Sequence, residues 1–426
     1  MINYSSLFFK APKIETPFHK IIEVTYADDI ASGRPSKYIE KKVQRLLPYY
    51  SNTHSNASMG ILMRDKIRDT RNLIRKLFKL TDDHIILFTG NGSTAAVNHL
   101  KNSIHFTQPT HIYLSRYEHY SNYLPWFELA RHKPQLITTH IVEPSEQVKL
   151  DNDVINILTI NMCSNVTGEM IDIDKYKRLR SKSTFLFLDM SCCAPYINID
   201  LRDVDAVFMS GHKFFGGVGC PGILVARKVL FNRDCPTQPG GSCVKKADSH
   251  NIVYSDDLET RESAGTPNII GIIKFGYVLQ LKEKLLDHIT KREHHICGIL
   301  KKWIKKKLEK YPDLKIVGDY KNKTLPILSF CFGKYHPNLL VKILNDVFGI
   351  QTRGGISCCG LLGEYYQSHG INGWCRVSLS WWMTDEIIYN ILDAVELTFR
   401  MVDKLIEHYH YDSKTNLFTY IVKSKK

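Results

Sequence analysis

The chain has 426 residues, 43% of them hydrophobic and 23% charged, a balance that supports a large buried core and excludes a disordered protein. Its net charge of +14 invites an acidic partner such as nucleic acid, a membrane surface or a phosphorylated ligand. Eleven irregularly spaced cysteines with no CxxC motif argue against a disulfide framework or a zinc site, and for reduced thiols in a cytoplasmic compartment.

The opening MINYSSLFFKAPK lacks the basic end and long apolar stretch of a signal peptide, and no apolar run is long enough to predict a membrane span. The first forty residues read as an irregular arm and a short helix. Residues 58–80 place apolar side chains at helical spacing, with basic residues on the other face. From residue 84 short apolar runs alternate with helical stretches. Strands are expected at 84–90, 111–115, 137–143, 154–161, 184–190 and 206–210, with a helix over 93–104. Runs of this kind suit strands buried on both faces, and the alternation predicts a mainly parallel sheet flanked by helices.

Residues 228–262, rich in Gly, Pro, Ser and Asp, read as a long excursion. A long helical region follows over 268–310. Its lysines 301, 302, 305, 306 and 307 read as a solvated face, since no base-contacting module accompanies them. Further on come a strand (327–333), a helix and a second strand (374–380). Thr384 is placed to cap the final helix, with Asp385 and Glu386 in its first turn. The last residues, from Asp412, remain ambiguous.

Polar groups stand just past the apolar strands. Lys213 lies in SGHKFFGG (210–217), flanked by Ser210 and His212, with glycines that let another group approach closely. A lysine held in a partly desolvated site can form an imine with an aldehyde cofactor; otherwise it simply emerges at the surface. Asp189 ends the 184–190 strand, at the open edge where parallel sheets bind ligands, and is either a pyridinium partner or a turn cap. TGNGSTAAVN (89–98) runs from a strand through a glycine turn into a helix, so the amides and hydroxyls of Ser93 and Thr94 make a natural phosphate cradle. His119, in YEHYSN, could stack on a cofactor ring. Asn165, in CSNVTG, could donate to a phenolic oxygen or be a turn residue.

Together these motifs resemble the class V aminotransferases and cysteine desulfurases, with the likeness running from about Tyr26 to Tyr389. SGHKFFGG resembles the segment whose lysine holds pyridoxal 5'-phosphate (PLP), here Lys213. TGNGSTAAVN, YEHYSN and SNVTGEMIDI resemble the phosphate corner, the histidine segment and the asparagine segment. RESAGTPNI (261–269) resembles the segment that reaches the partner subunit's phosphate, which implies a homodimer with Thr266 contributing across the interface. YSNTHSNAS (50–58) resembles the family's N-terminal segment near the active site. The resemblance implies an α/β fold of the PLP-dependent transferase type (fold type I). In it a large, mainly parallel seven-stranded domain over 45–274 is joined by a smaller α+β domain over 275–426 and an N-terminal arm over 1–44. It also implies that Arg376, in WCRVSLS, grips the substrate carboxylate, which a planar guanidinium does well.

IQTRGGISCCG (350–360) resembles the loop that carries the catalytic cysteine of one desulfurase branch. Aligned on Arg353, the nucleophile falls at Cys358, with Cys359 a second candidate. Cys192 departs from the pattern, standing where many relatives carry a glutamine that touches the cofactor, and cysteine is a poor donor. The resemblance thus implies a cysteine desulfurase or a selenocysteine lyase-like enzyme, with a sulfur-acceptor protein as a further partner. An aminotransferase, an epimerase or a catalytically weak assembly protein are the alternatives.

Overall fold

In a computed structural model of the chain, residues 7–143, 146–320 and 323–421 are described. They fall into two compact units. One comprises residues 32–163 and 171–286 with residues 7–9; the other comprises 10–31, 164–170 and 287–421.

The large unit opens with helices α1 (Lys37–Leu46) and α2 (Ser58–Leu77). There follow β1 (His84–Thr89), α3 (Gly92–Ser103), β2 (Thr110–Ser115), α4 (Tyr120–His132), β3 (Ile137–Val142), β4 (Ile155–Asn161), β5 (Thr184–Asp189), β6 (Ala206–Ser210) and β7 (Gly222–Arg227). These strands form one seven-stranded sheet in the order β1-β7-β6-β5-β4-β2-β3. Only β7 runs antiparallel to its neighbours, pairing with both β1 and β6. The expected strands are all present. β7, GILVAR, was not among them, because it follows the glycine-rich lysine segment so closely. Leu87, Leu114, Ile157, Phe187, Phe208 and Leu224 from six strands bury against α3 and α4 through Ala96, Leu100 and Trp126.

Within the excursion, Val244–Ala247 and Ile252–Tyr254 form an antiparallel hairpin. The long helical region is one 42-residue helix, α5 (Ile269–Lys310). Its Lys282 is buried in the large unit and donates to Ala194 O (2.5 Å), Ile197 O (2.6 Å) and Asn198 Oδ1 (2.7 Å), beneath the rings of Phe78 and Phe214. Burial pulls its pKa down to about 7.

The small unit holds a four-stranded antiparallel sheet of β8 (Leu314–Ile316), β9 (Ile327–Phe332), β10 (Arg353–Gly355) and β11 (Trp374–Ser378), in the order β8-β9-β11-β10. Helices α6 (Pro337–Phe348), α7 (Gly360–Gln367) and α8 (Asp385–Leu405) complete it. The Thr384 hydroxyl caps α8 by accepting from Ile387 N (3.3 Å). The N-terminal segment joins through Thr25–Tyr26, which pairs parallel with Ile350–Gln351. The ambiguous C-terminal stretch is a hairpin of Tyr409–Asp412 with Leu417–Tyr420. In the lysine run, Lys301, Lys302, Lys305 and Lys306 are exposed as expected, but Lys307 turns inward to pair with Glu396, which also takes Lys310 and Arg400. No helix among the described residues is long and apolar enough to cross a membrane.

Removing the Lys282 ammonium leaves three acceptors without a donor in a dry site. Lys282→Ala should therefore lower unfolding stability by about 3 kcal/mol, read from the denaturant midpoint.

Candidate active site

In the large unit the candidate groups gather where strands end and helices begin. Asp189 is the last residue of β5, 2% exposed, and its Oδ1 accepts from Ser191 N (2.9 Å). Burial pushes its carboxyl above the ordinary range, while the Ser191 hydrogen bonds and the charge of Lys213 pull the other way. The two charges therefore sense each other across the ends of adjacent strands. Lys213 closes the short turn Gly211–Lys213 that follows β6 directly. Beside it, burial and then the charge of Lys213 lower the pKa of His212.

Above this pair stands the N-terminus of α3. Gly92, its first residue, has φ +59°, and a Cβ there would lie 2.8 Å from Ser210 Oγ and 3.0 Å from His212 Cε1. The chain bends tightly here because only glycine both fits the space and adopts that φ without strain. Asn91 provides no side-chain cap. Ser93 N donates to Ser210 Oγ (2.9 Å), and Ser210 Oγ in turn reaches Ser93 Oγ (3.4 Å) and Ser191 Oγ (3.3 Å). Thr94 Oγ1 and Ser121 Oγ stand 2.7 Å apart. Hydroxyls clustered at a helix N-terminus suit a phosphate.

His119 caps α4. Its Nδ1 accepts from Ser121 N (3.1 Å), so in the neutral ring Nε2 carries the proton. The preceding residue, Glu118, was missed in the sequence. It is fully buried, and its carboxylate accepts from Ser115 Oγ (2.6 Å), Asn161 N (2.6 Å) and Asn122 Nδ2 (2.7 Å). Burial raises its pKa from 4.5 to about 8 against those three donors. An acidic residue three positions past a buried strand was the available signal, but nothing in the sequence says that it points inward. Thr266 is exposed and accepts from Asn52 Nδ2 (3.1 Å), which joins the 261–269 and 50–58 segments; no hydrogen bond among the described residues links it to Ser93, Thr94 or Ser210. Cys192 is buried, and next to it burial holds the Cys193 thiol well above its usual range.

The small unit carries the other candidates. Arg376, on β11, is 1% exposed; its Nη1 donates to Asn165 O (2.9 Å), its Nη2 pairs with Asp28 Oδ1 (2.6 Å), and its Nε is buried without a partner. Asn165 Nδ2 donates to Ser357 O (2.9 Å), and its Oδ1 is also buried and unpartnered. One amide hydrogen of Asn165 is thus engaged within this unit. Ser357 (φ +52°) and Cys358 (φ +57°) are successive left-handed residues, a strained turn. Ser357 Oγ accepts from Trp374 Nε1 (3.1 Å), and Cys358 Sγ accepts from Arg353 Nη2 (3.3 Å). Cys358 is half-buried, whereas Cys359 is 0% exposed at the start of α7.

The seven-stranded sheet with its single reversed strand is the fold type I architecture of PLP-dependent enzymes. Among solved structures, the apo cysteine desulfurase of Thermococcus onnurineus NA1 superposes with a TM-score of 0.74 at 21% identity, covering 90% of this chain and 95% of that one. An S-sulfonic acid form of a cysteine desulfurase from Escherichia coli gives 0.73 at 20% identity, covering 88% and 94%. The chain belongs to the aminotransferase class-V family, whose model matches residues 25–391. A relative named cysteine desulfurase, from Wigglesworthia glossinidia brevipalpis, is 27% identical over 390 residues, 87% of this chain and 91% of that protein. The large-unit residues fit PLP: an amine for the aldehyde, a buried carboxylate for the ring nitrogen, and a hydroxyl-lined corner at Gly92 that a Cβ would fill.

Glu118 also makes a prediction about pH. Its folded pKa near 8 lies above its ordinary value, so the stability it contributes is complete below about pH 4.5 and is lost as pH rises through 8. Glu118→Gln, neutral throughout, should flatten the fall in the apoprotein's thermal midpoint between pH 5 and 8.

Proposed function

We propose that this protein is a PLP-dependent cysteine desulfurase, converting L-cysteine to L-alanine and leaving a persulfide on Cys358. The observation that carries the reading is the half-buried Cys358 thiol on its strained turn, in a chain whose relatives bear that name. PLP would be held by Lys213 at its aldehyde carbon, by Asp189 at its ring nitrogen, and by Ser93, Thr94 and Ser210 at its phosphate. His119 would lie against its ring, with His212 beside the lysine. When bound, PLP supplies an electron sink for the pair left at the substrate's Cα.

The protein's own groups would do the rest. Asp189, kept from water, holds the proton on the ring nitrogen. Arg376 receives the substrate carboxylate, and Asn165 donates to the cofactor's phenolic oxygen. The amine of Lys213 would take the Cα proton. The Cys358 thiolate would then attack the substrate sulfur: an S–S bond forms, the C–S bond breaks with its electron pair passing to Cβ, and a proton taken up at Cβ, with the one returned to Cα by the Lys213 amine, completes alanine. Cys359, buried under the loop, has no route to this chemistry. Thr266 would serve the partner subunit's phosphate in a homodimer, and the persulfide would pass to an acceptor protein. Retention in the cytoplasm suits eleven cysteines of which none is paired among the described residues.

Purified protein given L-cysteine and a reductant should release alanine and sulfide in equal amounts and show a cofactor band near about 420 nm. Lys213→Ala should abolish both, Cys358→Ala should stop alanine release, and Cys359→Ala should leave it near wild type. Alanine no higher than in the Lys213→Ala control would overturn the proposal. Amino exchange with a keto acid, indifferent to Cys358→Ala, would point to an aminotransferase instead.

A further inference from the structure

We propose that Glu118 is a positioning residue of the cofactor site, fixing together the turn that carries His119 and the strand end that carries Asp189. The assignment rests on the functional reading above.

The Glu118 carboxylate joins three elements. Oε1 accepts from Ser115 Oγ at the end of β2 and from Asn161 N at the end of β4, while Oε2 accepts from Asn122 Nδ2 in the first turn of α4. The orientation of Asn122 is not free, because its Oδ1 already accepts from Thr159 Oγ1 (2.8 Å) and Trp126 Nε1 (3.3 Å). Its amide hydrogens therefore face Glu118, and an acceptor is required there.

Asn161 carries the link to Asp189. The two residues are register partners on β4 and β5, and Met162 N donates to Asp189 O (2.9 Å). The Asn161 side chain returns to the other segment, donating to Tyr117 O (3.0 Å). His119 follows Glu118 directly, and its carbonyl accepts from Asn122 N (2.9 Å) and Tyr123 N (3.1 Å). A single buried carboxylate thus sets both the ring meant to lie against the cofactor and the carboxylate meant to meet its nitrogen.

A purely structural staple would not touch the cofactor's electronics, and here the two roles separate. Burial is the main cause of the raised pKa of Glu118, with the charge of Asp189 adding to it, and the phenol of Tyr176 is likewise raised by burial first and then by Glu118. The charge of Lys213, in the turn just past β6, also acts on Asp189. Asp189 and Tyr176 thus share a field with Glu118, whose ionisation would alter the potential around the Asp189 carboxylate.

The test is titration of apoprotein with PLP, followed by the quench of tryptophan fluorescence, and then the absorbance of the loaded protein from pH 6 to 9. Glu118→Gln should weaken PLP binding about tenfold and remove an inflection near pH 8 from the absorbance profile. Ser115→Ala, which deletes one donor and leaves the carboxylate in place, should weaken binding by less and retain the inflection. It also serves as the measurement if Glu118→Gln fails to fold: wild-type affinity in Ser115→Ala then counts against the assignment. Wild-type protein that takes up PLP, with a Glu118→Gln variant unchanged in affinity and profile, overturns this assignment alone. Wild-type protein that takes up none overturns the functional reading and this assignment with it.

Discussion

A carboxylate at the end of a buried strand sets the terms for the large unit. Asp189 lies between β4 and β6, out of water, with the backbone amide and hydroxyl of Ser191 as its hydrogen-bond donors and the charge of Lys213 within range. Desolvating a carboxylate is costly unless a cation or donors compensate, and two donors from one neighbouring residue compensate only in part. The proposed function answers that shortfall with a positive, hydrogen-bearing group. A protonated pyridine nitrogen would meet that need, and Lys213, in the turn just past β6, adds a compensating charge. The reversed strand β7 follows from this arrangement. It returns from the lysine turn to close the sheet against β1, which brings the Gly92 corner against Ser210, so that the phosphate cradle and the lysine segment share a wall.

Much of this was legible in the sequence, for a physical reason. Parallel strands covered on both faces write themselves as unbroken apolar runs, and the residue just past each run emerges at one edge of the sheet. Lys213, Asp189, Ser93 and His119 were found that way. What stayed hidden depended on tertiary contact. Glu118 reads as one more charged residue in a polar loop, and only the convergence of Ser115, Asn122 and Asn161 shows that it is buried. Lys307 looks like its four neighbours on a solvated face until Glu396, almost ninety positions later, is folded against it. The two residues Thr25–Tyr26 carry no strand signal of their own; they pair because Ile350–Gln351 offers an edge.

The two adjacent cysteines show how backbone conformation separates residues that a motif leaves side by side. Alignment on Arg353 favoured Cys358 without excluding Cys359. The left-handed turn at Ser357 and Cys358 sends the two thiols to different environments, one beside the Arg353 guanidinium and the other into the core under α7. Left-handed conformations cost non-glycine residues roughly 1–2 kcal/mol each, so two in succession persist only where neighbours hold them. Here Trp374 and Asn165 do so through the hydroxyl and carbonyl of Ser357. The proposed role of Cys358, first attacking and later handing on its sulfur, would be served by a turn held from outside and not by its own preference.

The same unit explains why Arg376 suits a carboxylate. Arg353 and Arg376 are register partners on β10 and β11, so two guanidiniums arise from directly opposed positions, an arrangement that repels unless anions answer it. Asp28 answers part of the charge, by pairing with Nη2 of Arg376 at 2.6 Å. Nη1 is taken by Asn165 O, while Nε stays buried without an acceptor. An unpaired donor on a fully buried guanidinium is costly to maintain in a folded protein. The role proposed for Arg376 would answer that cost, since a substrate carboxylate would bring an acceptor and a negative charge to the paired guanidiniums.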